Sequence, residues 1–264
     1  MSRSTRALSL NAVDLENKQQ QARAVRLRFR LHKAFPPENP ISVALLRLMA
    51  AVNDVKYIQQ SAILVLERAT TSQAENLNRE GELGYLLRML LAHLHEAGIA
   101  FRDLDPKYRG EVDRLIDGNT EAKTAVHTLR SVYLDTTPAG LNKALLEGVR
   151  TPWAFPYKHE RFKEALESHP EVATLIISEF AGIGRYTVTD DFAKRYIAEK
   201  VGGLEAFDRL VAEAVLLAGT LGRAVDHLLG ALFTGREDEI IVEEVDEPVT
   251  IPPEAMRARG KVRE

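Results

Sequence analysis

From Ile41 to Glu67 the chain runs without a single Gly or Pro. Apolar side chains recur through this stretch at Leu45, Leu46, Leu48, Met49, Val52, Val55, Ile58, Ile63, Leu64 and Leu66. A stripe of that width and period belongs to a core-facing α-helix. Its start is marked by Pro-Pro-Glu-Asn-Pro, where Asn39 suits the N-cap and Pro40 the first helical position. A long helix with one apolar side needs a partner. The chain offers one from Leu83 to about Phe101, LGYLLRMLLAHLHEAGIAF, after the polar connector TTSQAENLNREGE. Two long amphipathic helices joined by a polar connector predict an antiparallel pair within a bundle.

The remaining elements are fitted around that pair. Weaker helical patterns cover 107–117 and 120–134. Thr137-Pro138 opens a helix to about Gly148, and another covers His159 to Ser168. The stretch VATLIISEFAGIGRYTVTDD has β-branched and aromatic runs on either side of Ala-Gly-Ile-Gly. It predicts a β-hairpin, about 172–179 with 184–188, the alternative being a short buried helix. Thr189 caps a further helix that Gly202-Gly203 stops. The last helix, Leu204 to Phe233, carries Ala206, Leu210, Ala214, Ala218, Gly222, Asp226 and Gly230 at a spacing of four. Small residues in such a row let another helix approach closely, either an internal one or that of a second protomer.

At the N-terminal end, residues 12–34 have good helix formers and predict a helix. Its later apolar residues, Val25, Leu27, Phe29 and Leu31, alternate instead, which leaves its end open. The expected fold is mainly α, an antiparallel helical bundle with one small β-hairpin. The expected organisation is a basic N-terminal helical segment over 1–35, a bundle over 36–234 with the hairpin near 172–188, and a flexible charged tail over 235–264.

Composition narrows the function. The chain has no Cys, which removes disulfides, thiolate metal sites and Cys nucleophiles. Its N-terminus lacks an apolar core of signal-peptide length. The most apolar run, Val211 to Phe233, is interrupted by Glu213, Arg223, Asp226 and His227. A cytoplasmic protein without a membrane partner is expected. Charge is uneven: residues 1–33 hold eight Lys/Arg against Asp14 and Glu16, and REDEIIVEEVDE at 236–247 holds seven acids against one Arg. The basic segment, with Arg23, Arg26, Arg28, Arg30 and Lys33, offers a surface for phosphate, and thus for RNA or DNA. Alternatively the two charged ends are solvated or meet each other.

Most catalytic signatures are missing, among them a phosphate-binding Gly-Lys loop, HExxH and GxSxG. His93 and Glu96 share a helix face, but two ligands do not make a metal site, so no metal and no cofactor is expected. Arg47, Asn53 and Asp54 in the first long helix, and Arg88, His95 and Glu96 in the second, form a candidate polar inter-helix cluster. Arg47 and Asp54 are seven residues apart and share a face, as do Arg88 and His95. Asp54 is positioned to pair with Arg88 or His95, either fixing register or lining a polar pocket.

One stretch concentrates unusual residues: Val149 to Phe162, VRTPWAFPYKHERF, with the only Trp of the chain. An Arg and a His a few residues apart can cleave RNA without a metal. The Arg stabilises developing phosphate charge, and the His moves the proton of the 2′-hydroxyl or leaving oxygen. Arg150 and His159 are the candidates. The other reading is packing, with Trp153, Phe155, Tyr157 and Phe162 plugging a bundle end.

The order of RLMAAVNDVKYIQ (47–59), LLRMLLAHLHEAG (86–98), VRTPWAFPYKHERFKEAL (149–166) and YTVTDDFA (186–193) resembles bacterial helical proteins of the HEPN-like type. The resemblance spans roughly residues 40–200. It implies a helical bundle, often dimeric. In that family a stretch close to R-N-x-x-x-F-H-Y supplies the Arg and His of a ribonuclease, while members that have lost it serve as interaction or regulatory modules in defence or toxin-related complexes. Arg150, Phe155 and Tyr157 match. Thr151 stands where Asn is expected and Pro156 where the His is expected, and a Pro cannot move a proton. The resemblance therefore implies a non-catalytic module, acting as a homo-oligomer or with a protein partner. The alternatives are a ribonuclease rebuilt on Arg150 and His159, and nucleic-acid binding through the basic segment.

Overall fold

The computed structural model describes residues 21–134, Ala198 and residues 202–250. The described residues are mainly helical, with one small two-stranded antiparallel sheet. In chain order they form β1 (Gln21–Phe29), α1 (Leu31–Ala34), α2 (Pro40–Glu67), α3 (Gln73–Leu115), α4 (Thr120–Tyr133), α5 (Leu204–Phe233), α6 (Glu237–Ile240) and β2 (Ile241–Thr250). Residues 28–243 make up one compact unit, and the outer portions of the two strands belong to another.

α2 starts where its cap predicts. The Asn39 side chain accepts a hydrogen bond from the Ile41 amide at 3.0 Å, and Pro40 occupies the first turn. α3 is longer than expected. The polar connector from Gln73 onward is its first turns, because Ser72 Oγ accepts from the Glu75 amide at 3.2 Å and the Glu75 carboxylate turns back to the Thr71 amide. That Ser-x-x-Glu arrangement satisfies two donors at the helix start. Hydrogen bonds donated to the Glu75 carboxylate by the Thr71 amide and hydroxyl, and by the Ser72 backbone amide, hold its pKa below the ordinary value. The helix then continues through Pro106. Proline offers no N–H to the carbonyl one turn back, and the backbone leaves helical geometry at Tyr108 (φ −118°, ψ 26°). The pattern expected separately at 107–117 is thus the far limb of one kinked helix.

α2, α3, α4 and α5 pack on one another around a single apolar cluster. α2 contributes Leu45, Leu48, Val52 and Val55; α3 contributes Leu91, Leu94, Phe101 and Leu104. α4 adds Val126 and Leu129, and α5 adds Leu217, Leu221 and Leu228. The approach of α3 to α4 is close enough to require a glycine. A Cβ on Gly98 would lie 2.7 Å from the Tyr133 ring. The start of α5 uses glycine differently: Gly202 and Gly203 have φ of 98° and 113°, a region costly for any other residue.

Several expectations need correction. The helix over residues 12–34 is replaced, in its described part, by β1 and the short α1. The alternation of Val25, Leu27 and Phe29 was the true signal, since period two is that of a strand. Residues 237–250, expected within a flexible tail, form α6 and β2. The α2 stripe is wider than its core face: Leu46, Leu64 and Leu66 are exposed. On α5, Leu210, Ala214 and Ala218 are buried, whereas Asp226 and Gly230 are exposed. A spacing of four advances about 40° per step around a helix of 3.6 residues per turn, so the row walks off the buried face. α5 is long and apolar enough, by length and composition, to cross a membrane; 39% of its most apolar window is buried within the bundle, while Leu204, Val215 and Leu216 are exposed. The hairpin near 172–188 and the helices expected at 138–148, 159–168 and 190–201 fall outside the described residues, Ala198 excepted.

Candidate functional site

Arg150 and His159 lie outside the described residues, as does the aromatic stretch between them. The two other candidate groups are described, and a third charged group stands beside them at the kink of α3.

The basic segment meets the acidic one. Arg28 donates to the Glu243 carboxylate at 2.9 Å across the two strands. Arg30 donates through its backbone to the Ile240 carbonyl at 2.8 Å and through its guanidinium to the Glu239 carbonyl at 2.6 Å. Lys33 lies 3.6 Å from Glu239, and Arg236 donates to the Lys33 carbonyl at 2.7 Å. Under these polar contacts Phe29, Phe35 and Phe233 stack edge to face in a triangle, with centroids 5.7 to 6.0 Å apart. Arg26 is exposed, and Arg23 lies on β1. β1 carries Arg23, Arg26 and Arg28, and β2 carries Glu243, Glu244, Asp246 and Glu247.

Two members of the inter-helix cluster make ion pairs between α2 and α3. Arg47 donates to Asp103 at 2.6 Å, and Asp54 lies 3.2 Å from His93 Nδ1. Both pairs bridge α2 and α3, and their order along the helices confirms the antiparallel arrangement. The expected partners of Asp54 are corrected: His93 takes that place, while His95, two residues on and on another face, is buried. Asn53 and Glu96 are exposed, and Arg88 is half-buried. Of the six, Arg47 and Asp54 make ion pairs across the α2–α3 seam, with Asp103 and His93.

The third group sits at the kink of α3. Asp105 is fully buried. Arg130 on α4 donates from Nε and Nη2 to Asp105 Oδ1, at 2.8 and 2.6 Å. Arg109 donates to Asp105 Oδ2 from one turn along, at 3.2 Å from both Nε and Nη2. Arg130 also reaches Asp113 at 2.7 Å. Burial opposes the Arg130 charge, but hydrogen bonds and attraction from Asp105 and Asp113 outweigh it and raise its pKa. Both carboxylate oxygens of Asp105 are committed to guanidinium groups. Such an arrangement has no acid or base to spare; it fixes the bend of α3 against α4. Nearby, Tyr133 donates to the Leu94 carbonyl at 3.0 Å, and burial pushes its phenol pKa well up. The only sequence hint of this group is Asp105 before Pro106 in an otherwise helical stretch.

Among the described residues no three His, Asp or Glu side chains gather as a metal site. No protein-family model matches this chain, and comparisons with curated proteins and with solved structures find no match either.

Proposed function

We propose that this chain is a non-catalytic helical interaction module of the HEPN-like type, which acts through protein contacts. The observation that supports it best is the outer face of α2. There Val43, Leu46, Tyr57 and Leu64 are exposed on the side away from the core. A helix that is apolar on both sides is ordinarily covered on both. A row of large apolar side chains left exposed among the described residues is the mark of a protein-contact surface.

Charge placement favours this reading over nucleic-acid binding. Arg28, Arg30 and Lys33 are engaged by Glu243, the Glu239 carbonyl and Glu239, so the basic segment is met by acids of its own chain. The Pro at 156, where the family motif has its His, argues against hydrolysis.

The test is incubation of the pure protein with total RNA and with a structured tRNA, in chelator, beside Arg150→Ala. No cleavage by either protein is expected. Cleavage by the unaltered protein that disappears in Arg150→Ala would replace the module with a metal-independent ribonuclease, and His159 would be substituted next. Tight binding without cleavage that weakens steeply with salt would favour the nucleic-acid reading.

A further inference from the structure

We infer that the two ends of the compact unit, residues 28–35 and 233–243, form a latch that opens as one piece while the four long helices stay folded. This goes beyond the reading as an interaction module and does not depend on it.

Neither half of the latch can persist alone. α1 and α6 are four residues each. A helix that short has not offset the cost of its own first turn, so it exists only where packing holds it. Here each half is held by the other. Arg30 donates its amide to the Ile240 carbonyl, and its guanidinium reaches the Glu239 carbonyl. Arg236 answers from the other side by donating to the Lys33 carbonyl. The two guanidinium bonds span 209 and 203 positions of the sequence. Beneath them Ala34 and Ile240 are fully buried, and the Phe29 and Phe35 rings meet Phe233, the last residue of α5.

Among the described residues, the side-chain hydrogen bonds, ion pairs and ring contacts that leave residues 28–35 all run to 233–243. The charges add little to this hold. The pairs Arg28–Glu243, Lys33–Glu239 and Arg236–Glu239 stay more than a third exposed on both sides, where ion pairs contribute least. The long helices share a much larger apolar cluster. A small, lightly anchored region beside a well-packed one opens at a lower free energy than the whole molecule. Because each half is the other's support, opening one removes the partners of the other, and both leave together. Opening uncovers Phe35, Phe233 and Ile240. An event at one end of the chain is therefore felt at the other, since coupling between two sites is reciprocal.

Native-state hydrogen exchange on the full chain tests this. It is read at the amides of Arg30, Ala34 and Phe35 on one half, at Glu239 and Ile240 on the other, and at Leu94 in α3. In the unaltered protein the latch amides should share one opening, faster than that of Leu94 and with a shallower urea dependence, because less surface is exposed. Phe29→Ala alters the first half only, yet should speed exchange at Glu239 and Ile240 about tenfold or more, by the same factor as at Ala34. Ile240→Ala should speed Ala34 and Phe35 in the same way. A variant that speeds only its own half overturns the inference, since the ends then open independently. Latch amides that match Leu94 in rate and in urea dependence overturn it as well, since nothing then opens short of global unfolding. That second comparison uses the unaltered protein, so it decides the matter even where a variant fails to fold.

Discussion

Two groups of ion pairs hold distant parts of this chain together, and they differ chiefly in their access to water. At the α3–α4 junction Asp105 is 0% exposed and Arg130 is 21% exposed. At the sheet, Arg28 is 67% exposed and Glu243 is 39% exposed, with a similar separation between the charged atoms. In water two unit charges at contact attract by only about 1 kcal/mol, and an exposed pair also gives up side-chain freedom. In the interior the attraction is much larger, but so is the cost of removing each charge from water. The buried group therefore dictates where α4 sits, since neither partner tolerates separation. The exposed group accompanies a strand pairing whose apolar support comes from the Phe29, Phe35 and Phe233 triangle.

The contrast can be broken most sharply at Asp105. Asp105→Asn leaves Arg130 and Arg109 without their shared carboxylate, and a loss of about 3–5 kcal/mol is expected, near the lower end because Arg130 keeps Asp113. Urea unfolding measures it. Replacing both partners, Asp105→Leu with Arg130→Met, should recover part of that loss; a double variant no better than Asp105→Asn would mean the pair is not the source of the effect. Next in size is the packing beside this group. Gly98→Ala drives a methyl into the Tyr133 ring, and destabilisation by about 1–3 kcal/mol is expected from the shift it forces. An unchanged denaturation midpoint would show that α4 can move away freely, contrary to a junction fixed by Asp105.

The third prediction concerns pH. Burial raises the Tyr133 pKa above the usual phenol value, so above about pH 10 the unfolded chain loses this proton and the folded chain retains it. The unfolded state then binds fewer protons, and stability must fall as pH rises. The slope approaches about 1.4 kcal/mol per pH unit beyond pH 10 for this one group. Tyr133→Phe should lose about 1 kcal/mol at neutral pH, with its hydrogen bond to Leu94, and should show a shallower alkaline decline. Melting temperatures of the two proteins, compared from neutral to alkaline pH, carry the test; parallel curves would contradict it. The smallest effect belongs to the exposed group. Glu243→Gln should cost less than about 0.5 kcal/mol, and added salt should erase the difference. A larger cost would mean that the strand pairing depends on its charges after all.

Local signals made much of the bundle legible. Asn39-Pro40 and Gly202-Gly203 act on the residues beside them, through one capping hydrogen bond and through permitted φ values, so the starts of α2 and α5 follow from their immediate neighbours. Ser72 and Glu75 belong to the same class, yet the polar character of the surrounding connector concealed them. The sheet is another matter. Gln21–Phe29 is rich in residues that also favour helix, and its strand partner lies more than two hundred positions away, as the Arg28–Glu243 separation of 215 shows. Of the candidate site, the charged ends and the α2–α3 ion pairs were foreshadowed by residue type, but the choice of His93 over His95 depended on how the two helices are rotated against each other.

The sequence by itself determined the long helices, their caps and the opposite charge of the two ends, because each depends on residues within a turn or two or on composition alone. Tertiary structure decided which acid meets which base, why Gly98 must lack a side chain, and which face of α2 enters the core. Those outcomes are set by packing between segments far apart in the chain, where a rotation of one helix by a single residue, about 100°, exchanges the buried face for the exposed one.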